Sequence, residues 1–454
     1  MSDVTELLKE FVAHNTVTTR SNAALARRVG RLLGRAGFRV SYQKVRRNGQ
    51  VFVNVLGRKG PASGRPLVLC AHLDTVPPGE RSAWTRTGGD PRRARVERGV
   101  LYGLGSADDK GSMAAILEAA SRTARDTFTR PFVVLGTFGE ESGMGGAHTV
   151  LKRWKGPKPY AVLAAEPTAL GVTYKHKGMG VAEITLVARR RAKLRAAGKR
   201  FSGRSAHSSQ PSTGVNALDK AVRWLRTSGR GTLVASLDGG QARNMVPASA
   251  RLAAGVSRSA AGSTVRPVFP APAIVDVRNA VARTIARFPG RDRAFDPPVS
   301  TSTLCLARTE GTALTLCFDF RLNPGQTMDR VVKRLKKLLT AGLAVYRREL
   351  GWKLRVERDN PALRGRPLGP AGRLAAGALA DAGLSARFLA KSGCTEAGLY
   401  SRWGVSSAVL GPGVSRGNIH RPNERIAIGQ LEAAVRIYER IIRRACTRAP
   451  EARA

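Results

Sequence analysis

Acidic residues are what this chain has least of relative to their opposites. Asp and Glu total 32 against 77 Lys and Arg, a formal net charge of +45 over 454 residues. Aromatics are also sparse, at 6%, which leaves few rings to stack on bases and argues against nucleic acid as the primary partner. No stretch approaches the roughly 18–20 consecutive apolar residues of a membrane-spanning helix, so no membrane partner is expected. The opening Met1-Ser2-Asp3-Val4-Thr5-Glu6 lacks a basic start followed by an apolar run, so it does not read as a secretory leader. The five cysteines (Cys70, Cys305, Cys317, Cys394, Cys446) are scattered with no Cys-x-x-Cys, which excludes a disulfide framework and fits a reduced, cytoplasmic protein. Arg, Ala and Gly are all abundant, so compositional bias accounts for the charge. Docking of an acidic carrier protein stays open beside that reading.

What is present is a core. Hydrophobic residues make up 42%, and the length favours two domains. Val4, Leu7, Leu8, Phe11 and Val12 recur at helical spacing, and a second helix is expected from an Asn22 N-cap to about Gly37. Short apolar runs at Leu67–Ala71, Phe132–Phe138, Ala161–Ala165 and Ser407–Leu410 read as buried strands. Helices at 111–125 and 429–446 alternate with them, which points to an α/β layer structure. Between these parts the character changes. Val181–Val187 alternates like a half-exposed strand, a basic tract runs from Arg189 to Arg204, and Ser257–Pro272 reads as a loop. The expected fold is a catalytic α/β domain with a mainly parallel central sheet flanked by helices, interrupted by an inserted α+β lid or dimerisation domain. The boundaries fall at 1–176, 177–358 and 359–454.

Five segments place metal-competent side chains at strand ends or turns, where open α/β sheets carry their sites. His72 and Asp74 stand two apart after the first apolar run; an imidazole backed by a carboxylate suits a metal, although His-x-Asp is common by chance. Asp108 and Asp109 follow a Gly-rich turn and could bind a cation or cap the next helix. Glu140 and Glu141 are adjacent and repel each other unless something positive intervenes. Glu166 abuts a buried strand and needs a partner, either a metal or an arginine. His420 is one of only six histidines. Two histidines and several carboxylates suit a pair of Zn2+ or Co2+ ions.

The order of these motifs resembles the metallopeptidase family of acetylornithine deacetylase, succinyl-diaminopimelate desuccinylase, aminoacylase and carboxypeptidase G, over essentially the whole chain. The resemblance implies that His72 and Glu166 hold one metal, that Glu141 and His420 hold the other, and that Asp108 of Ala107-Asp108-Asp109-Lys110-Gly111 bridges both. Asp109 fills a variable position and is not implied as a ligand. Asp74 would orient His72, and Glu140 would be the general base. His207, in Ser205-Ala206-His207-Ser208-Ser209-Gln210-Pro211, would help stabilise the oxyanion, reaching a partner subunit's site in a homodimer formed through the inserted domain. Tyr174-Lys175-His176-Lys177-Gly178, Ser21-Asn22 and Cys394-Thr395-Glu396-Ala397 look most like the acetylornithine deacetylase subgroup. Arg321, Asn244 and Glu396 are the implied substrate-binding residues. The expected reaction is conversion of N2-acetyl-ornithine to ornithine and acetate, with desuccinylase, aminoacylase, dipeptidase or carboxypeptidase activity as alternatives. The basic tract looks inserted relative to that family, and the 257–272 loop looks long.

Overall fold

The computed structural model describes residues 3–229, 231–257 and 264–447. They divide into two compact units. The first holds the chain up to His176, Leu363–Ala390 and the part from Thr395 on; the second holds Lys177–Ala362 and Lys391–Cys394. The return to the first unit comes after residue 358 because the strand Leu350–Asn360 is still pairing with Gly178–Ala188 in the second unit's sheet.

The first unit is built on a nine-stranded sheet. Its centre is four parallel strands in the order Phe132–Thr137, Leu67–His72, Ala161–Ala164 and Ser406–Val409. The flanks are antiparallel: Gln50–Lys59 and Arg39–Arg47 on one side, Val172–His176 and Leu363–Arg364 on the other. Every residue of Leu67–His72 and Phe132–Thr137 is buried, as expected of central strands whose sequence is continuously apolar. Small residues let the helix Lys110–Arg122 sink into the core, where Met113 through Ala120 are all buried against the long helix Ile428–Cys446 and the sheet. At the N-terminus the Asp3 side chain caps Val4–Ala13 by accepting the Thr5 N–H at 2.8 Å. Asn22 does stand at the start of Ala23–Arg35, but its amide does not cap that helix. It bonds the main chain of Val53 instead, donating to the carbonyl at 2.8 Å and accepting from the N–H at 2.9 Å.

The second unit is an antiparallel sheet with helices Ala217–Thr227, Ala271–Ala286 and Met328–Leu343 packed into one core with it. In Gly178–Ala188, residues Ala182, Ile184, Leu186 and Ala188 are buried while Glu183, Thr185 and Val187 are half-buried, the alternation of a sheet with one covered face. The basic tract is β structure: Arg191–Leu194 pairs with Thr264–Pro267, and Ala197–Ser202 pairs with Ser249–Gly255. Ala192 and Leu194 turn inward onto Leu233 and Val268, while Arg191 and Lys193 stay exposed. The loop expected at 257–272 is shorter than its composition suggests. Residues 258–263 lie outside the described residues, Thr264–Pro267 and Phe269–Pro270 are strands, and a helix begins at Ala271. Proline in a first helical turn is favourable, so Pro272 marks a start there and not a coil.

Candidate metal centre

The central strands of the first unit deliver the candidate residues from their carboxyl ends. His72 ends one strand, Glu140 and Glu141 follow the turn after Thr137, and Glu166 follows Ala161–Ala164. His420 lies in the segment between Ser406–Val409 and Arg425–Ala427. This is the edge at which open parallel sheets bind ligands.

Asp108 lies between two imidazoles. Its Oδ1 is 2.9 Å from His72 Nε2 and its Oδ2 is 3.1 Å from His420 Nε2. His420 Nε2 is also 2.8 Å from Glu141 Oε1. Two groups of donor atoms, each within 4.8 Å of one another, result: Asp108, Glu141 and His420 in one, and His72, Glu140 and Glu141 in the other. Separations of roughly 3 to 3.5 Å are those of two ligand atoms on one zinc ion. Gly111 lets the Asp108 turn close onto the following helix, because a Cβ there would stand 2.3 Å from the Ser106 carbonyl oxygen.

The electrostatics follow from burial. Burial opposes ionisation of Asp108, yet hydrogen bonding to His420 and His72 holds its carboxyl well below the usual range. Burial pushes Glu140 well up, reinforced by Glu166 and Glu141, and raises Glu141, reinforced by Asp108. His72 is raised well above its ordinary value; burial works against its charge, and Asp108 outweighs burial. Asp109 is fully buried and its carboxyl is pushed well up by desolvation.

Asp74 acts differently from the expectation. The His72 Nδ1–H donates to the Asp74 main-chain carbonyl at 3.0 Å, while the nearest carboxylate oxygen is 3.7 Å away. The carboxylate instead accepts the N–H groups of Glu140 (3.1 Å) and Glu141 (3.3 Å), fixing the turn that carries both. Glu166 is 7% exposed and belongs to neither donor group, although its charge acts on Glu140.

Two of the expected substrate-binding residues have partners within the protein. Glu396 is 4% exposed, and its Oε2 accepts the Thr137 hydroxyl at 3.0 Å. Burial, partly offset by His72, pushes its pKa up to about 8. It is an interior group, because Thr395 and Ala397 on either side are themselves packed. Arg321 spends its fork on its own strand: Nε and Nη2 bond the two oxygens of Asp319 at 2.8 and 3.1 Å, and Nη2 also donates to Ser208 Oγ at 3.1 Å. Residues 319 and 321 share a face by the two-residue period of a strand, which makes this pairing the local outcome.

In the second unit the His207 segment is ordered by its own serines. The Ser209 N–H donates to His207 Nδ1 at 3.2 Å and the Ser209 hydroxyl lies 2.7 Å from the same nitrogen. A nitrogen that accepts an N–H carries no proton, so the neutral ring bears its hydrogen on Nε2. His207 pairs with Met245, and the Asn244 carbonyl accepts the Ser208 N–H at 2.9 Å. The structure thus brings His207, Asn244 and Arg321 into one neighbourhood. Two of the three segments that resemble the subgroup also meet: His176 Nε2 lies 3.2 Å from the Thr395 main-chain nitrogen and 3.1 Å from its hydroxyl.

One residue escaped the sequence reading. Glu424 is 1% exposed, and its carboxylate accepts the N–H groups of Gly105 (3.0 Å), Ala107 (2.9 Å) and Asp108 (3.0 Å). Its neighbours Asn423 and Arg425 read as a solvated loop, and nothing local signals that the carboxylate is buried.

Comparison with known proteins places this site in context. Residues 68–444 match the model of peptidase family M20/M25/M40. Acetylornithine deacetylase of Proteus mirabilis (strain HI4320) is 33% identical over 220 residues, 47% of this chain and 51% of the relative. That of Pectobacterium carotovorum subsp. carotovorum (strain PC1) is 35% identical over 207 residues, 46% and 48% respectively. The chain thus spans about half the length of the curated relatives it matches. Among solved structures, aminoacylhistidine dipeptidase from Vibrio alginolyticus superposes with TM-score 0.64 at 15% identity, covering 98% of this chain and 96% of that one. An M20 family metallo-carboxypeptidase from Sulfolobus solfataricus gives 0.63 at 17% identity, covering 97% and 99%; both likenesses concern the fold.

Proposed function

This chain belongs to peptidase family M20/M25/M40, and from that premise we propose that it is a two-metal amidohydrolase that removes the N-acyl group of a small amino acid, with N2-acetyl-ornithine converted to ornithine and acetate. The observation that carries the reading is Asp108, whose two oxygens face two different imidazoles. The donor set suits divalent ions: two histidines and the carboxylates Asp108, Glu141 and Glu166 offer nitrogen and oxygen ligands, and gathered carboxylates with this little solvent need positive charge among them. His72 and Glu166 would hold one ion, Glu141 and His420 the other, with Asp108 shared. A bound pair of Zn2+ or Co2+ ions supplies Lewis acidity toward the acyl carbonyl and toward water.

The chain's own residues supply the rest. Glu140 would take the proton of the attacking water and return it to the leaving amine. Asp74 keeps Glu140 in place through its N–H. His207 would offer Nε2–H to the developing oxyanion at the partner subunit's site, the tautomer that Ser209 selects. Substrate choice draws its support from the acetylornithine deacetylase relatives and from the meeting of His176 with Thr395. The same reading has the protein acting in the cytoplasm as a homodimer formed through its second unit.

The test is hydrolysis of N-acetyl-ornithine beside N-succinyl-diaminopimelate, N-acetyl-methionine and a dipeptide, with zinc- and cobalt-loaded protein. Metal-dependent turnover led by N-acetyl-ornithine is the expected result. Turnover led by another substrate keeps the chemistry and replaces the substrate; no turnover of any of them overturns the reading.

A further inference from the structure

Glu424 ties together two parts of the chain that each carry a candidate ligand. Its carboxylate gathers three main-chain N–H groups of the Gly105–Asp108 turn, and its own carbonyl accepts the Gly103 N–H at 2.9 Å. The turn needs such a partner. Gly105 has φ of +81°, and the Gly105, Ala107 and Asp108 N–H groups find their acceptor in this buried carboxylate. On the other side, Glu424 stands at the end of the segment that carries His420. Asn418 braces that segment: its amide nitrogen donates to the Val414 and Arg425 carbonyls at 2.9 and 2.8 Å, and its oxygen accepts the Arg425 N–H at 3.0 Å. Asp108 and His420 are themselves 3.1 Å apart.

We propose that Glu424 is a positioning residue for the metal centre, a clamp that sets the Asp108 carboxylate and the His420 imidazole at the spacing of ligands on one ion. The inference rests on the two-metal reading for its purpose and on the hydrogen bonds for its geometry. Both N–H-bonded oxygens of Glu424 act as acceptors. An amide in their place puts an NH2 group against an N–H donor, so Glu424→Gln breaks part of the clamp at nearly constant volume.

Two measurements on the full chain test it. The first is amide hydrogen exchange of the 103–110 segment in metal-free wild type, Glu424→Gln and Glu424→Ala. Loss of charge-assisted bonds should speed exchange of the Gly105, Ala107 and Asp108 amides by about tenfold or more. The second is zinc titration against a chromophoric chelator, with circular dichroism to confirm folding. One of two ions should bind about 10- to 100-fold more weakly in Glu424→Gln, the range for losing an outer partner of a ligand. Should Glu424→Ala fail to fold, Glu424→Gln decides. Unchanged exchange overturns the clamp. Faster exchange with wild-type affinity for both ions overturns the positioning role and leaves a purely structural one. A wild type that takes up no zinc overturns the two-metal reading instead, and the clamp then stands or falls on exchange.

Discussion

The imidazole of His72 takes its orientation from the main-chain carbonyl of Asp74, 3.0 Å from Nδ1, and not from the Asp74 carboxylate. That carboxylate is occupied with the Glu140 and Glu141 N–H groups. Asp74→Asn keeps the carbonyl and one acceptor oxygen while turning the other toward an N–H as a donor. The expected outcome is full metal content, kcat lowered about 10- to 100-fold and KM near wild type. Steady-state kinetics with metal analysis on the same sample checks it. Loss of the ions would mean that the carboxylate orients His72 after all.

Glu140→Gln should keep the fold and both ions and lose about two to four orders of magnitude in kcat, the usual contribution of a positioned base. Its place beside His72 in one donor group gives the measurement a second use. If one ion is lost with the activity, Glu140 is a ligand and the role of base belongs to another carboxylate.

Between about pH 5 and 7 the metal-free protein should become less stable as pH rises. Burial lifts Glu396 to about 8 and raises Glu140 and Glu141. A raised carboxyl contributes stability below its unfolded pKa and loses it as pH climbs through the folded one. His420, raised to about 11 by Asp108 and Glu141 against the effect of burial, has the same slope above its unfolded value. Lys110 and Lys177, which burial depresses to about 7 and about 8, act in the opposite sense only at higher pH. Thermal melts across this window, with and without zinc, check the sign; a melting temperature that rises with pH in the metal-free protein contradicts it.

Arg321→Ala should cost about 3–5 kcal/mol of stability, since it leaves the buried Asp319 carboxylate uncompensated. A substrate clamp would instead show a raised KM at unchanged melting temperature. Denaturant unfolding alongside KM separates the two.

His207→Ala should lower kcat by about two to three orders of magnitude. Ser209→Ala should lower it far less, because the Ser209 N–H still holds Nδ1. Equal losses in the two variants would show that the hydroxyl, not the main chain, sets the ring.

Much of this was legible in the residues because burial writes itself into short runs. The strands ending at His72 and Thr137 are almost continuously apolar, so their positions at the centre of a parallel sheet could be read directly. What could not be read were bonds set by the three-dimensional path. Asn22 looked like a cap, and Val53, far along the chain, takes its amide. Glu424 drew no reading from the sequence, and only the fold brings it under the Asp108 turn. The basic tract read as an insertion of charge because its inward residues, Ala192 and Leu194, are few and small beside the cations between them.

The most direct test of the account is to count zinc ions per chain in the wild type, in His420→Ala and in Asp108→Ala after exhaustive dialysis against a zinc buffer. Two ions in the wild type, one in His420→Ala and one or none in Asp108→Ala, with turnover lost from both variants, is the result that a shared Asp108 predicts. A single ion in the wild type, or two retained in Asp108→Ala, would contradict it.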